Sequence, residues 1–300
     1  MNEEIRNNID DEIDLRELLH IIWDKKLLIG AITSIAAILS VIYSLYLPNV
    51  YTSSTLLAPT AQEDSISSSL GGLSGLAGLA GVSLPTGSIS NSKIAIKRIE
   101  SFEFFSKYIY PDIKLENLMA IEKWSSKDNK ITYIKSIYDV ESDKWASKPS
   151  AQKSFKEFQR ILNISQDELT GLVYLSIQHK SPIIAKQWVD LIIYNINETM
   201  REIDKKDAQN SINFLNESSK TVSIQSIKEV VSKLLESQMQ TLMLASSNKE
   251  YVFKTINSPI IPEEKSGPGR AIICILGTML GFILSLLVVL LQHFRKNSNL

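Results

Sequence analysis

Two apolar runs without a charged residue stand near the two ends of the chain, and they restrict its fold more than any other feature. The first covers residues 27–47 and the second covers residues 271–291. At 1.5 Å of rise per residue, a helix of either length crosses a bilayer core of ~30 Å. Each run is therefore predicted to form a transmembrane helix, which puts residues 48–270 on one side of a membrane and both ends of the chain on the other.

A cleaved signal peptide is the alternative interpretation of the first run. Its apolar part is longer than the usual signal core, and the segment before it carries the acidic residues Asp10, Asp11 and Glu12 rather than a positive cluster. Pro48 and Asn49 follow it, where a cleavage site would have small residues. An uncleaved membrane span is favoured.

The basic residues next to the two runs predict the orientation, since Lys and Arg are retained on the cytoplasmic side. No Lys or Arg occurs from residue 48 to residue 90. Lys25 and Lys26 directly precede the first run, and Arg295 and Lys296 follow the second, while Lys265 and Arg270 before the second run are a modest counterweight. Residues 1–26 and 292–300 are therefore expected in the cytoplasm, with residues 48–270 outside it.

Composition and motifs argue against several classes of function. A net charge of −1 over 300 residues provides no basic face for nucleic acid. The single cysteine, Cys274, lies inside the second run and excludes an intrachain disulfide. No HExxH, CxxC, GxSxG or Walker motif occurs, and the glycine-rich stretch 61–87 lacks the Gly-Lys-Ser/Thr of a phosphate loop. We expect no enzyme, no catalytic residue, no metal and no cofactor.

Short helices and strands are predicted for the first part of the intervening region and for its end. The apolar spacing favours helices at 91–109, 115–123 and 150–162. Alternation and β-branched content favour strands at 50–57, 171–178 and 251–256, with a weaker strand pattern at 128–140. Together these segments are predicted to form an α/β base from residues 48–181 and 250–258.

A long helical hairpin is predicted between the last two of those strands. Ser181 and Pro182 are a favourable helix start, and neither Pro nor Gly interrupts the chain from there to Pro259. Helical periodicity runs over residues 183–217, and a return helix is predicted at 224–245 after a break at 218–223. Because so long and polar a helix leaves the core, residues 182–249 are predicted to form a protruding arm that needs partners.

Two groups of residues around the second run are candidate interaction sites. Pro259, Pro262 and Pro268 make residues 259–270 a stiff proline-rich link to the membrane. Gly277 and Gly281 form a small-xxx-small pair that Ser285 extends, a pattern typical of packing between membrane helices. A glycine pair without a contact role is the alternative.

The order of these elements resembles the Wzz chain-length-determinant family of polysaccharide co-polymerases, of the O-antigen regulator type without a kinase domain. The resemblance covers nearly the whole chain. It is carried by IDLRELLHIIWDKK (13–26), YTSSTLLAPT (51–60), SKIAIKRIESFEFFSKYI (92–109), GLVYLSIQHKSPIIAKQWVDLIIYNIN (171–197) and the segment 234–270, which resembles the return helix, final strand and proline-rich approach of the family.

The resemblance implies an α+β bacterial inner-membrane protein, with two transmembrane helices flanking a periplasmic α/β base that carries the helical hairpin. It implies a homo-oligomeric ring that performs no chemistry. Such a ring sets the chain length of a surface polysaccharide, for example the lipopolysaccharide O-antigen, that a separate polymerase builds on lipid-linked glycan.

Three other two-span architectures compete with this interpretation. A sensor or chemoreceptor would need a cytoplasmic output domain, and a co-polymerase fused to a tyrosine autokinase would need a Walker motif after residue 291. Only nine residues follow that position, so both are disfavoured. An export adaptor of the capsule or exopolysaccharide type shares the two-span plan and stays open.

Overall fold

A computed structural model of the chain describes residues 22–60, 90–221 and 225–297. Its first half contains α1 (Lys26–Tyr46), β1 (Tyr51–Pro59), α2 (Asn91–Ile99), α3 (Phe102–Phe104), a π-helix (Phe105–Ile109), α4 (Leu115–Met119), β2 (Ile121–Ser125), β3 (Lys130–Tyr133), β4 (Tyr138–Asp139) and β5 (Lys144–Trp145). Its second half contains α5 (Ala151–Ile161), β6 (Leu162–Gln166), β7 (Val173–His179), α6 (Pro182–Thr221), α7 (Gln225–Ser247), β8 (Phe253–Asn257) and α8 (Arg270–Asn297).

The chain divides into two compact units. One unit holds residues 1–49 and 266–300, and the other holds residues 50–265. This is the predicted fold class in outline, a mixed α+β chain with a candidate membrane helix near each end and a long helix between them, and it is confirmed. The finer division of residues 48–270 into base, arm and link stays a prediction.

The smaller unit contains the two helices that are long and apolar enough to cross a membrane. They are Lys26–Tyr46 and Arg270–Gln292, with mean hydropathies of 2.2 and 2.8. Both begin within one residue of the predicted runs at 27–47 and 271–291. α1 and α8 pack against each other.

A four-stranded sheet organises the larger unit, in the order β6-β7-β1-β8 with every neighbouring pair antiparallel. β7 pairs with β1 through registers such as Ser54 opposite Ser176. The strands β1 and β7 bury alternate residues, as a sheet covered on one face by helices requires. A register shift at Leu56 and Leu57 bends β1 where it meets β8.

The covered face of the sheet holds an aromatic core. Phe104, Phe105 and Phe158 are almost completely buried, and the ring centroids of Phe105 and Phe158 are 5.0 Å apart. Trp188 continues this cluster from α6. Burying each such side chain contributes about 1.5–3 kcal/mol. The first half of α6, up to Met200, therefore belongs to the core and shares it with the sheet.

α6 runs for 40 residues, about 60 Å. It begins at Pro182 as predicted, but it continues to Thr221, through the start of the break that the sequence predicted at 218–223. α7 packs back against it. Beyond Met200 the buried apolar positions of α6 are Ala208 and Ile212, and the rest of that half is more exposed.

Two of the predicted short helices differ from the structure, and one strand is additional to the predicted elements. The helix predicted at 115–123 ends at Met119, because residues 121–125 pair with β3 across a turn in which Asn129 has a φ of 48° and accepts a hydrogen bond from Trp124 Nε1. The helix predicted at 91–109 breaks at Ser101, whose hydroxyl caps the next turn by accepting from Phe104 N. The edge strand β6 was not predicted.

Candidate functional site

Gly277 and Gly281 lie where α8 approaches α1 most closely. A Cβ atom placed on Gly277 would lie 2.5 Å from Cβ of Ser40, and one placed on Gly281 would lie 2.2 Å from Cβ of Ala36. Real side chains do not approach so closely. Because glycine has no side chain, α1 and α8 can pack as closely as they do at these two positions.

Ser285 lies about one turn beyond Gly281 on α8. Its side chain is fully buried, and its hydroxyl donates to the carbonyl of Phe282 at 2.6 Å. Ser44 of α1 is buried as well. The structure thus places the three small residues of α8 against or beside the first span of the same chain. A contact between subunits through these residues stays a prediction.

The three prolines of the predicted link do not form one site. Pro259 is buried in the larger unit, and Pro262 is half-buried there. Pro268 belongs to the smaller unit and follows a cis peptide bond at Gly267. The early part of the link is held by β1, since the hydroxyls of Ser53 and Thr55 donate to the carbonyls of Ile260 and Asn257 at 2.8 and 2.6 Å.

Asn197 joins the long helix to the last strand, a role that the sequence did not reveal. Its side-chain oxygen accepts hydrogen bonds from the backbone N–H groups of Val252 and Phe253, both at 2.9 Å. Its Nδ2 donates to the carbonyl of Phe253 at 3.0 Å. Asn197 is only 3% exposed, so water cannot satisfy these backbone groups. Its side chain provides the hydrogen bonds that a neighbouring strand would otherwise provide. A polar residue on the apolar face beside Ile196 was the signal that could have identified it.

His179 is buried at the end of β7, where both of its ring nitrogens have hydrogen-bond partners. The backbone N–H of Ser181 donates to its Nδ1 at 3.0 Å, so the ring proton resides on Nε2, which donates to the carbonyl of Asn117 at 2.9 Å. Burial lowers the pKa of the imidazole from its ordinary value. Its two ring nitrogens thus connect β7 to α4 and to the residue before α6. The centroids of the His179 and Trp188 rings are 5.0 Å apart.

A second titratable group lies further along α6. Asp204 is partly buried, which raises the pKa of its carboxyl, and it accepts a hydrogen bond from the hydroxyl of Tyr251 at 2.8 Å. The carbonyl of Tyr251 in turn accepts from the hydroxyl of Thr60 at 2.6 Å. These bonds connect α6 to the segment before β8. Within the described ranges, no three His, Cys, Asp or Glu side chains are grouped as metal ligands would be.

One family model matches part of the chain. Residues 11–110, which are 100 of the 300 residues, match the family model described as Wzz, chain length determinant protein. The predicted resemblance to this family is confirmed by that match. A search among curated protein sequences found no match.

Two solved structures are similar to this chain at low identity. A full-length bacterial polysaccharide co-polymerase has 14% identity and a TM-score of 0.44, with 95% of this chain and 99% of that chain covered. A fragment of WzzB, a polysaccharide co-polymerase from Salmonella Typhimurium, has 14% identity and a TM-score of 0.33, with 73% of this chain and 100% of that chain covered.

Proposed function

We propose that this protein is a membrane-anchored, non-enzymatic regulator of surface polysaccharide chain length, and that it works with a separate polymerase that extends a lipid-linked glycan. The match of residues 11–110 to the chain length determinant family carries the proposal. The two apolar helices that flank one mixed α+β unit support it, because this arrangement fits a protein that is held at the membrane at both ends.

The proposed location is the inner membrane of a bacterium, with both termini in the cytoplasm and the larger unit in the periplasm. The support is the placement of Lys and Arg beside the two spans. Cysteine labelling tests it, in a background where Cys274 is replaced by Ala. Lys144→Cys should react with a membrane-impermeant maleimide in spheroplasts, and Ser298→Cys should react only after lysis. The reverse pattern would contradict the orientation.

The proposed working form is a homo-oligomer. Met239 and Met243 stand one turn apart on α7 with 55% and 71% of their surface exposed, and they line a shallow depression together with Leu235 and Leu244. Flexible exposed methionines of this kind are suited to a contact with another protein surface. A second copy of the chain is the proposed partner.

Native mass measurement of the detergent-solubilised chain tests the oligomer. The double substitution Met239→Lys and Met243→Lys should shift the protein towards smaller species. Gln225→Lys, an exposed position on the same helix, adds a charge outside the depression and should leave the mass unchanged. Equal masses for all three proteins would refute this contact surface.

The function itself is tested by deleting the gene in its own bacterium and separating the surface polysaccharide on a gel. We expect a modal ladder to become a broad, random length distribution, and the wild-type gene on a plasmid to restore it. An unchanged ladder would overturn the proposal. Loss of the surface polysaccharide, with polysaccharide trapped inside the cell, would instead identify the export-adaptor alternative.

A further inference from the structure

A groove runs along one side of α6, between this helix and the segment that includes β8. Its volume is about 690 Å³, within the ~300–1,000 Å³ usual for sites that hold small molecules. The helix wall carries Lys186, Asp190, Tyr194, Glu198 and Arg201. The opposite wall carries polar groups from residues 249–258 and ends at Pro259. All of these residues belong to the larger unit.

Tyr194 presents an aromatic ring to this groove. It lies four residues from Asp190 and four from Glu198, so the three side chains share one face of the helix. The ring is 66% exposed, although the neighbouring positions Val189 and Ile196 are buried in the core. A large ring held on a rigid helix beside carboxylates offers a flat apolar surface together with hydrogen-bond acceptors.

The charges in the groove compensate one another. Lys186 Nζ is 2.5 Å from Asp190 Oδ2, and an Arg201 guanidinium nitrogen is 2.5 Å from Glu198 Oε1. Lys249 and Glu250 add one charge of each sign, which makes three positive and three negative groups in the lining. A groove without net charge attracts neither a phosphate nor a polycation. It nevertheless contains many donors and acceptors.

The wall opposite α6 adds hydroxyl and amide groups. Thr255 and Ser258 line it, and the Thr255 N–H donates to Glu250 Oε1 at 3.0 Å. That bond fixes the Glu250 carboxylate at the edge of β8, where its remaining lone pairs stay available. Carboxylates, ammonium groups and hydroxyls at fixed positions are the partners that sugar hydroxyls require.

We propose that this groove binds a short, uncharged saccharide segment, with Tyr194 stacked against the apolar face of a sugar ring and Asp190 and Glu198 accepting from its hydroxyls. A sugar ring has one face of C–H groups and a rim of hydroxyls, which is the combination of surfaces that the groove complements. The inference rests on the proposed function, since the glycan whose length is regulated supplies the ligand. It assigns to α6 direct contact with that glycan.

Binding is measured with the detergent-solubilised full chain and short oligosaccharides cut from the delipidated surface polysaccharide of the same bacterium. Saturation-transfer NMR detects the contact, and calorimetry gives the Kd. Tyr194→Ala should weaken binding about tenfold, which corresponds to ~1.4 kcal/mol and to the upper range for an aromatic contact. Tyr194→Phe keeps the ring and should bind within about twofold of the wild type, a difference of ~0.4 kcal/mol.

Phe214→Ala is the matched control, because Phe214 is 69% exposed on the same helix but lies outside the groove. It should bind as the wild type does. Asp190→Asn, which keeps the side-chain size, should weaken binding several-fold. Circular dichroism establishes that each variant folds.

Three results would overturn the groove proposal. They are the absence of wild-type binding, wild-type affinity in Tyr194→Ala, and a loss of oligomer mass in Tyr194→Ala that would make the groove a subunit contact. The gene-deletion ladder separates this failure from failure of the proposed function. A ladder that changes on deletion but not with Tyr194→Ala refutes the saccharide groove alone.

Discussion

The helices α1 and α8 pack against each other, and so do α6 and α7, yet the two pairs pack by different means. In the first pair the closest approach is made by Gly277 and Gly281, where any Cβ would collide with the other helix. In the second pair the buried positions carry aliphatic side chains, such as Ile212 and Val231. α1 and α8 pack closely because glycines leave room for the facing helix. α6 and α7 pack through aliphatic side chains that fill the space between them.

The environments proposed for the two pairs, lipid for α1 and α8 and water for α6 and α7, explain the difference. In lipid, exposing a leucine costs nothing relative to burying it, so helix association relies on close backbone approach and van der Waals contact. In water, removing apolar area from the solvent contributes ~25 cal/mol per Å², so large side chains stabilise the contact. Small residues therefore indicate the contact face of α8, whereas large apolar residues indicate the contact faces of α6 and α7.

The first half of α6 adds a third means of attachment. There the helix is fixed to β8 by the three hydrogen bonds of Asn197, inside an apolar environment where unpaired backbone groups are costly. This polar contact is specific in geometry, which neither of the helix pairs requires. It fixes the start of β8 beside Asn197 of α6.

The largest expected effect comes from breaking this contact. Asn197→Leu leaves two backbone N–H groups and one carbonyl without a partner, and each such buried group costs ~1–3 kcal/mol. We expect urea unfolding of the full chain in detergent, followed by circular dichroism, to show a loss of several kcal/mol. Asn213→Leu, an exposed position further along the same helix, should change stability by about 0.5 kcal/mol or less. Equal stability of both variants would show that the Asn197 bonds contribute little.

The next effect separates the membrane pair from the aqueous helices. Gly281→Leu inserts a side chain where Cβ alone would lie 2.2 Å from Ala36 Cβ, so α1 and α8 must move apart, at ~1–3 kcal/mol for such overpacking. Gly30→Leu is the matched control, since a Cβ there meets nothing within 4 Å. Disulfide cross-linking between Ser44→Cys and the native Cys274, which lie about one turn beyond the contact of Ser40 with Gly277, should fall in Gly281→Leu and persist in Gly30→Leu. Cross-linking that persists equally in both would contradict close packing at Gly281.

Much of this architecture could be predicted because its signals are local. Both candidate membrane helices follow from charge-free runs, and α6 begins at the helix start predicted from Ser181 and Pro182. The covered strands β1 and β7 follow from their alternation. Each of these features depends on residues that are neighbours in the sequence, so a single sequence contains the information.

The features that were missed depend on tertiary partners. β6 is five residues long and follows α5 without a loop, and its strand conformation is stabilised by pairing with β7. The sequence of residues 121–125 continues a helical pattern. In the structure these residues form a strand that pairs with β3 after the turn at Asn129. The role of Asn197 is visible only once β8 lies beside α6. Residues 1–21 of the N-terminal segment and the glycine-rich stretch 61–87 lie outside the residues that the structure describes.

The smallest expected effect is a dependence of stability on pH that belongs to the larger unit. His179 is buried neutral with a lowered pKa, so the unfolded chain binds a proton more readily than the folded one below the ordinary histidine pKa of 6.5. Stability should therefore be complete above pH 6.5 and should fall as the pH drops from 6.5 towards the lower folded pKa. One proton limits the slope to ~1.4 kcal/mol per pH unit.

The variant His179→Asn isolates this effect, because it removes the titrating group while the other ionisable side chains stay in place. Urea unfolding of wild type and variant is measured at intervals from pH 7.5 to 5.0. The two curves of unfolding free energy against pH should converge as the pH falls. The wild type loses stability there because the unfolded chain takes up a proton at His179 more readily than the folded chain does. Asp204, whose pKa is raised by burial, contributes with the opposite sign at lower pH, and it does so equally in both proteins. Parallel curves would show that His179 is not protonated on unfolding in this range.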